Sequence, residues 1–215
     1  MADPISRGPV NGSGGPLSMG TRLRAKREQL GIGVRELARQ IGISASFISQ
    51  IERDRVSPSV QTLYQLATAL GMTMGEIFTE PSAPQPDSHS PIVLPEERSV
   101  INLASGIRWE RLTPVTDPYV EFHYVVYSPG SESCGPDSLM EHGGREYGYV
   151  VSGMLGIRIG FDEYKLGPGG SVSYDASMPH RLWAIGPESV NAIWAVVGRR
   201  NDSRFESLRR DNGSH

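Results

Sequence analysis

The sequence predicts two folded domains, an all-α bundle followed by an all-β barrel. Over residues 19–79 apolar residues recur at helical spacing, interrupted at intervals by glycine. Over residues 97–200 the apolar period drops to two and turns come often. Residues 80–96 contain five prolines, a composition typical of a semi-stiff, extended linker. A chain of 215 residues is long enough for two such domains, since domains commonly run to roughly 100–150 residues.

The two ends of the chain have no such pattern. Residues 1–18 are rich in Gly, Pro and Ser and lack the apolar core of a secretory signal, so we expect a disordered arm. Residues 201–215 form a polar tail. The single cysteine, Cys134, excludes an intramolecular disulfide and fits a reducing compartment. Because no segment approaches the roughly 20 apolar residues that cross a bilayer, we expect a cytoplasmic protein without a membrane partner.

Charge is distributed unevenly between the predicted domains. Residues 19–59 carry eight basic and four acidic side chains, a net charge of +4. Residues 81–215 carry 12 basic and 17 acidic side chains, a net charge of -5. A basic head on an acidic body indicates that only the head meets a polyanion such as nucleic acid.

Glycines and one serine divide the first domain into five short helices. Gly31, Gly42 and Gly71 each follow an apolar helical stretch, where a left-handed residue ends a helix. Ser44 is a good N-cap for the third helix, and a short fifth helix ends near Phe78. The second and third helices are joined by a tight turn, which predicts a helix-turn-helix whose second helix can enter a DNA major groove.

The stretch VRELARQIGISASFISQIERDRVSPSVQTLYQLATALGMTMGEIF, residues 34–78, closely resembles the phage-repressor (Cro/C1, or XRE) type of DNA-binding domain. The shared features include Gly42, the Ile-Ser-Gln-Ile-Glu run at 48–52, and Pro58. By this resemblance the recognition helix is 45–52, the fold is a five-helix repressor-type bundle, and the partner is a double-stranded DNA operator.

The side chains of the implied recognition helix suit base readout. Gln50 can form two hydrogen bonds with an adenine edge, and Ala45 can contact a thymine methyl group. Arginines around the helix are better assigned to phosphates, and Glu52 is expected to pair with a nearby arginine. The predicted DNA-binding residues are Arg39, Ser44, Ala45, Ser46, Ser49, Gln50, Arg53 and Arg55. The alternative is a solvated protein-interaction domain, such as an antitoxin-like partner binder.

Eight or more short strands separated by glycine-bearing turns imply an antiparallel sandwich or barrel in the second domain. The order of the turns resembles the cupin superfamily of jelly-roll barrels. The first cupin motif has two histidines separated by one residue and then a glutamate, and here it reads Met140, His142 and Glu146. The second motif ends in a histidine, here His180. The resemblance therefore implies a metal site in which Met140 replaces one ligand.

Three interpretations of His142, Glu146 and His180 stay open. Two imidazoles and a carboxylate can hold divalent iron, manganese, nickel or zinc. The preferred interpretation is a metal-free pocket for a small organic effector, to which Met140 adds apolar, adaptable surface. In the third, these side chains pair with neighbouring arginines or with the backbone. The predicted effector pocket consists of Met140, His142, Glu146, Val150, His180 and Leu182.

Strand alternation assigns the aromatic residues to faces. Tyr147 and Tyr149 fall on the face opposite Glu146, where a subunit interface is one role for them. Phe122 and Tyr124 share one face of their strand and His123 takes the other. We expect Phe122 and Tyr124 to be the core residues.

Together these features predict a transcription regulator, a repressor, with a DNA-binding head and an effector-sensing barrel. A recognition helix of this kind reads half of a two-fold site, so we expect a homodimer that is held largely through the barrels. No serine or cysteine comes with a recognisable base motif, so we expect no enzyme. The alternative is a cupin metalloenzyme of oxygenase or isomerase type fused to a DNA-binding head.

Overall fold

The computed structural model describes residues 18–78, 91–117 and 119–198. The predicted arm before Ser18, linker residues 80–90 and the predicted tail 201–215 lie outside the described residues. Ser18 itself is not part of an arm, because its side chain caps the first helix. At the other end of the predicted linker, Pro95–Glu97 form a single 3-10 turn. No helix in the described ranges is long and apolar enough to cross a membrane.

The first domain is the predicted helical bundle. Among residues 18–78 the helices are α1 (Met19–Gln29), α2 (Val34–Ile41), α3 (Ala45–Ile51), α4 (Val60–Leu70) and α5 (Met74–Phe78). Serine hydroxyls begin three of them, since Ser18, Ser44 and Ser59 each accept a hydrogen bond from the amide three residues later. Gly42 and Gly71 end α2 and α4 at φ 73° and 62°, in the left-handed region that glycine favours.

A buried ion pair joins the first and third helices of the bundle. The Arg27 guanidinium donates to both carboxylate oxygens of Glu52, at 2.6 and 2.8 Å, and to the carbonyl of Ile32 at 2.9 Å. The hydrogen bond to Glu52 raises the pKa of Arg27. Both residues are buried, so removing one partner would leave an uncompensated charge. The prediction that Glu52 pairs with an arginine is therefore confirmed.

The second domain is the predicted antiparallel β-structure. The strands in the described part of the chain are β1 (Val100–Asn102), β2 (Ile107–Arg111), β3 (Val120–Tyr127), β4 (Arg145–Ser152), β5 (Met154–Ile159), β6 (Asp162–Leu166), β7 (Ser171–Asp175), β8 (His180–Ile185) and β9 (Val190–Val197). They form a six-stranded sheet in the order β1-β2-β3-β9-β4-β7 and a three-stranded sheet in the order β6-β5-β8. Glu146 on β4 and His180 on β8 belong to different sheets, and the contact between them joins the two sheets.

The expectation that Phe122 and Tyr124 are core residues is wrong. His123 is 4% exposed and lies inside the barrel, whereas Phe122 is 36% exposed and the Tyr124 hydroxyl donates to Asn191. Alternation allows either face, and the choice depends on what covers it. His123 is sandwiched between Trp109 and Phe78, with ring centroids 5.4 and 4.9 Å away. Because Phe78 belongs to the helical domain, strand β3 alone does not reveal this burial.

The helical domain packs directly against one end of the barrel. The amide of Gln61 at the start of α4 donates to the carbonyl of Ser133, at 3.3 Å, and Ala104 donates to the carbonyl of Pro58, at 2.9 Å. At α5 the approach is so close that a Cβ on Gly75 would lie 2.0 Å from the methyl group of Thr116. The two domains thus share an interface despite the proline-rich connection between them.

Candidate functional site

Helix α3 presents the predicted DNA-binding residues on the outside of the bundle. Ile48 and Ile51 are buried in the bundle, and the Ser44 hydroxyl caps the helix by accepting from the Phe47 amide at 3.1 Å. Ser46 is fully on the surface, and Ala45, Ser49 and Gln50 are half-buried at its edge. Contact of these residues with DNA stays a prediction.

The three predicted arginines surround this surface. Arg53 and Arg55 follow α3 and are exposed, and the Arg53 side chain donates to the Ser49 carbonyl at 2.9 Å. Arg39 is exposed on α2 and pairs with Glu36 at 2.6 Å. An exposed ion pair of this kind contributes little to stability, so Arg39 can exchange Glu36 for a phosphate at small cost.

The cupin motif residues converge inside the barrel. Glu146 is on β4, His180 is at the start of β8, and His142 lies in the loop before β4. One ligand atom from each of the three lies within 4.8 Å of the other two. Oε1 of Glu146 is 2.7 Å from Nε2 of His142 and 3.5 Å from Nε2 of His180. The structure thus brings together the three residues that the sequence identified.

Hydrogen bonds at the far side of each imidazole set its tautomer. Nδ1 of His142 lies 3.1 Å from the Gly143 carbonyl, and Nδ1 of His180 lies 2.8 Å from the Met178 carbonyl. A carbonyl oxygen only accepts, so Nδ1 carries the proton in both rings. Both Nε2 atoms are therefore free of a proton and carry a lone pair when the rings are neutral.

The carboxylate of Glu146 is itself held by two donors. Its Oε2 accepts from the Tyr174 hydroxyl at 2.5 Å and from Trp194 Nε1 at 2.7 Å, which leaves Oε1 to face the imidazoles. Burial alone would raise the pKa of Glu146, but the two histidines hold it well below the usual range. Burial lowers the pKa of His180, and the nearby carboxylate of Glu146 outweighs this and raises it.

These residues fit a divalent cation. Both Nε2 atoms are buried without a hydrogen bond, even though Oε1 of Glu146 lies close by. Two imidazole nitrogens and one carboxylate oxygen are the donor set of many iron, manganese and zinc sites. Backbone bonds to Nδ1 and the donors to Oε2 are the supporting contacts such sites need.

A small cavity of about 20 Å³ adjoins Glu146, one of the three candidate ligands. Met140, Glu146 and Leu182 line it, in agreement with the predicted pocket. The other three predicted pocket residues, His142, Val150 and His180, are not among the described residues that line it, although Val150 and His180 are fully buried. Met140 also pairs with His180 through the backbone, in hydrogen bonds of 2.8 and 2.9 Å.

Sequence reasoning missed two tyrosines at this site. Tyr174 is directly opposite Glu146 in the β4–β7 register, and the alternation of β7 indicates that it faces inward. Tyr64 comes from α4 of the other domain and closes the cavity, its ring stacked on His142 with centroids 4.4 Å apart. No local pattern in the sequence predicts this second contact.

Comparison with known proteins agrees with both halves of the fold. A helix-turn-helix family matches residues 23–77 and a cupin domain family matches residues 123–196. The HTH-type transcriptional regulator PuuR of Escherichia coli is 30% identical over 166 residues, which span 76% of this chain and 86% of PuuR. The chain belongs to the HTH-type transcriptional regulators. The predicted fold class, DNA binding and role in transcription regulation are thereby confirmed for this regulator.

Solved structures resemble the regulator in fold. An HTH_3 family transcriptional regulator from Vibrio cholerae has a TM-score of 0.60 at 22% identity, covering 84% of this chain and 96% of that one. The hydroxypropylphosphonic acid epoxidase of S. wedmorenis covers 83% of this chain and 96% of its own, at 22% identity, with a TM-score of only 0.42. The second likeness is too weak to carry any conclusion about activity.

Proposed function

We propose that this regulator is a cytoplasmic, homodimeric repressor whose operator affinity responds to a divalent ion and a small effector at the cupin domain. The observation that carries the proposal is the stacking of Tyr64 on His142. One ring belongs to the DNA-binding domain and the other to the candidate metal centre. A change at the centre therefore acts directly on the helix that follows the recognition helix in the chain.

Operator recognition is assigned to α3. Gln50 reads a base edge, Ser46 and Ser49 reach bases or phosphates, and the flanking arginines neutralise phosphates. Replacing Gln50 by Ala should weaken binding to an operator selected from random duplexes by roughly 5- to 100-fold, the range expected for one bidentate base contact. Binding to unrelated DNA should change little. Gln29→Ala, at an exposed position on α1, is the matched control.

The ion is assigned to His142, Glu146 and His180, as a revision of the metal-free preference. A bound divalent ion supplies a Lewis-acidic centre with positions open to a further ligand. The chain's own contribution is to hold both imidazoles as Nδ1–H tautomers and to keep the carboxylate ionised. The test is a gel shift with the selected operator after chelation and after addition of Fe(II), Mn(II) or Zn(II). Unchanged operator affinity after chelation and after addition of each of the three metals would remove the ion from the proposal.

Dimerisation is assigned to the outer face of the six-stranded sheet. Tyr147, Tyr149 and Val151 on β4 are 46%, 49% and 46% exposed. Ala195 of β9 pairs with Tyr147 of β4 on one side and with the exposed Phe122 of β3 on the other. Apolar side chains from three neighbouring strands form a contiguous surface of the kind that a second subunit covers. Tyr149→Glu should shift the protein from dimer to monomer in analytical ultracentrifugation, and an unchanged mass would reject this surface.

An enzyme is the second candidate, favoured by the two-histidine, one-carboxylate set. Against it stands the volume of the cavity beside Glu146, about 20 Å³, which has room for roughly one water molecule. Dioxygen uptake by the Fe(II)-loaded protein that rose with an added organic substrate would support the enzyme. We propose that the centre senses rather than catalyses.

A further inference from the structure

A second and larger cavity lies between the two domains. This interdomain cleft has a volume of about 560 Å³. On one side are Gln40 near the end of α2 and Gln61, Tyr64 and Gln65 of α4; on the other are Met140 and Glu141 of the barrel. The helical domain supplies seven of the described lining residues and the barrel supplies three.

The two cavities differ in volume, and their volumes indicate what each can hold. The cavity inside the barrel, at about 20 Å³, has room for an ion or a water molecule. Sites for small organic molecules usually enclose roughly 300–1,000 Å³, and the cleft falls in that range. An organic effector therefore fits between the domains and not beside the triad in this arrangement.

The residues around the cleft define the chemistry of such a molecule. Gln40, Gln61 and Gln65 offer amide donors and acceptors, while Leu139 and Met140 offer apolar surface. The one ionisable carboxylate is Glu141, and no Lys, Arg or His is among the described residues that line the cleft. A carboxylate or phosphate ligand would meet a negative charge without a balancing cation. A neutral or positively charged molecule with hydrogen-bonding groups and a small apolar part is favoured.

We propose that the interdomain cleft binds a small organic molecule of this class, and that its contacts with α4 and with residues 139–141 hold the two domains together. The inference rests on the proposed function in that this molecule is the effector of the regulator. A ligand that touches both domains binds the packed arrangement more tightly than a separated one, which is the differential affinity that a switch requires. Tyr64 and Met140 line both cavities, so the effector lies next to the triad without entering it.

The test uses three probes of nearly equal shape and different charge on the full chain: benzamidine, benzamide and benzoate. Saturation-transfer NMR should detect binding of the cationic and the neutral probe, with a signal for benzoate that is roughly fivefold smaller because of Glu141. Glu141→Gln should remove most of the difference in saturation-transfer signal between benzamidine and benzoate. Equal signals for all three probes with the unaltered protein would overturn the assigned ligand class.

A bulky substitution then locates the probes. Thr68 is an exposed residue of α4 that lines the cleft, so Thr68→Trp should fill it and abolish the signals while the helix stays intact. Gln65→Trp repeats the test from a second position. Gln29→Trp, on an exposed site of α1 outside the cleft, should leave the signals unchanged. Persistence of binding in both filled variants would overturn the site.

Hydrogen exchange reports whether the probe holds the domains together. The Gln61 amide is at the start of α4, where helix amides lack an intrahelical partner, and it donates instead to Ser133 of the barrel. The Ala104 amide donates in the other direction, to Pro58. Benzamidine should slow exchange at both amides, and unchanged exchange despite binding would overturn the coupling. Operator binding measured on the same samples separates this result from a failure of the proposed DNA-binding function.

Discussion

Helices α3 and α4 belong to the same domain but depend differently on the rest of the chain. Helix α3 carries its own cap in Ser44, buries Ile48 and Ile51 within the bundle, and leaves its polar residues on the surface. Helix α4 buries one side in the bundle and stacks Tyr64 on His142 of the barrel. The predicted DNA-binding surface therefore lies within one domain, whereas the surroundings of the candidate metal centre include a residue of the other domain, Tyr64.

This difference has a consequence for regulation. A ligand that acts on α3 would have to reach an exposed surface that DNA also needs. A ligand that acts on α4 would change how the whole bundle sits on the barrel, without touching the residues predicted to contact DNA. Substitutions at the metal centre and at the domain interface should therefore alter domain packing and ion binding while α3 retains its intrinsic DNA contacts.

The largest effect is expected from Glu146→Gln. The substitution removes the only carboxylate of the ligand set and keeps a similar side-chain volume, so affinity for Mn(II) should fall by more than about 100-fold, beyond the loss typical of a supporting residue. Electron paramagnetic resonance titration of free Mn(II) measures this directly. Operator binding without added metal should stay unchanged, because α3 is intact. Glu141→Gln, an exposed carboxylate outside the triad, is the control and should bind Mn(II) as the unaltered protein does.

The second effect concerns the closest approach of the two domains. A Cβ on Gly75 would lie 2.0 Å from Thr116 Cγ2, so Gly75→Ala should destabilise the packed arrangement by about 1–3 kcal/mol, as overpacking does. The readouts are chemical denaturation and exchange of the Gln61 amide. Thr116→Ser removes only the clashing methyl group and should restore part of the loss in the double variant. At Gly33 a Cβ meets nothing within 4 Å, so Gly33→Ala should have a small effect. If the losses of unfolding free energy from Gly75→Ala and Thr116→Ser simply add in the double variant, that result would contradict the clash.

The third effect is a pH dependence at the buried end of the interface. Burial lowers the pKa of His123 to about 3, with a smaller contribution from Arg111, so the folded protein holds this ring neutral. The unfolded chain binds a proton near pH 6.5, and the folded state is therefore destabilised as pH falls from about 6.5 towards 3. Between pH 7 and pH 5 the loss should be about 2 kcal/mol. Over the same pH interval the His123→Gln variant should lose about 2 kcal/mol less unfolding free energy than the unaltered protein, as measured in urea titrations. Parallel curves of unfolding free energy against pH for the two proteins would show that His123 titrates in the folded state.

The helical domain could be predicted closely from its sequence because its determinants are local. Ser44 and Gly42 lie next to the helix ends that they define, and Glu52 is part of the motif that carries the family resemblance. The triad was predictable for a related reason, since the cupin motifs retain His142, Glu146 and His180 at recognisable spacings. Neither conclusion required knowledge of how the domains pack.

The errors fall where a neighbour distant in the chain decides the outcome. Alternation on β3 separates His123 from Phe122 correctly but cannot say which face is covered, and Phe78 of the other domain decides it. The contact of Tyr64 with His142 could not be predicted from the sequence for the same reason. The choice between a metal site and a metal-free pocket stays a proposal, and it depends on a volume that the sequence does not reveal, about 20 Å³ beside Glu146.

The smallest effect, from Tyr64→Phe, tests which part of this tyrosine joins the domains. Its hydroxyl lies 3.4 Å from Glu121, near the long limit for a hydrogen bond, whereas its ring stacks on His142. Tyr64→Phe should cost less than about 0.5 kcal/mol of unfolding free energy. Tyr64→Leu should cost about 0.5–1.5 kcal/mol more, because it loses the aromatic contact. If Tyr64→Phe and Tyr64→Leu speed exchange of the Gln61 and Ala104 amides equally, the hydroxyl rather than the ring holds the domains together. In that case the stacking on His142 does not connect the candidate metal centre to α4.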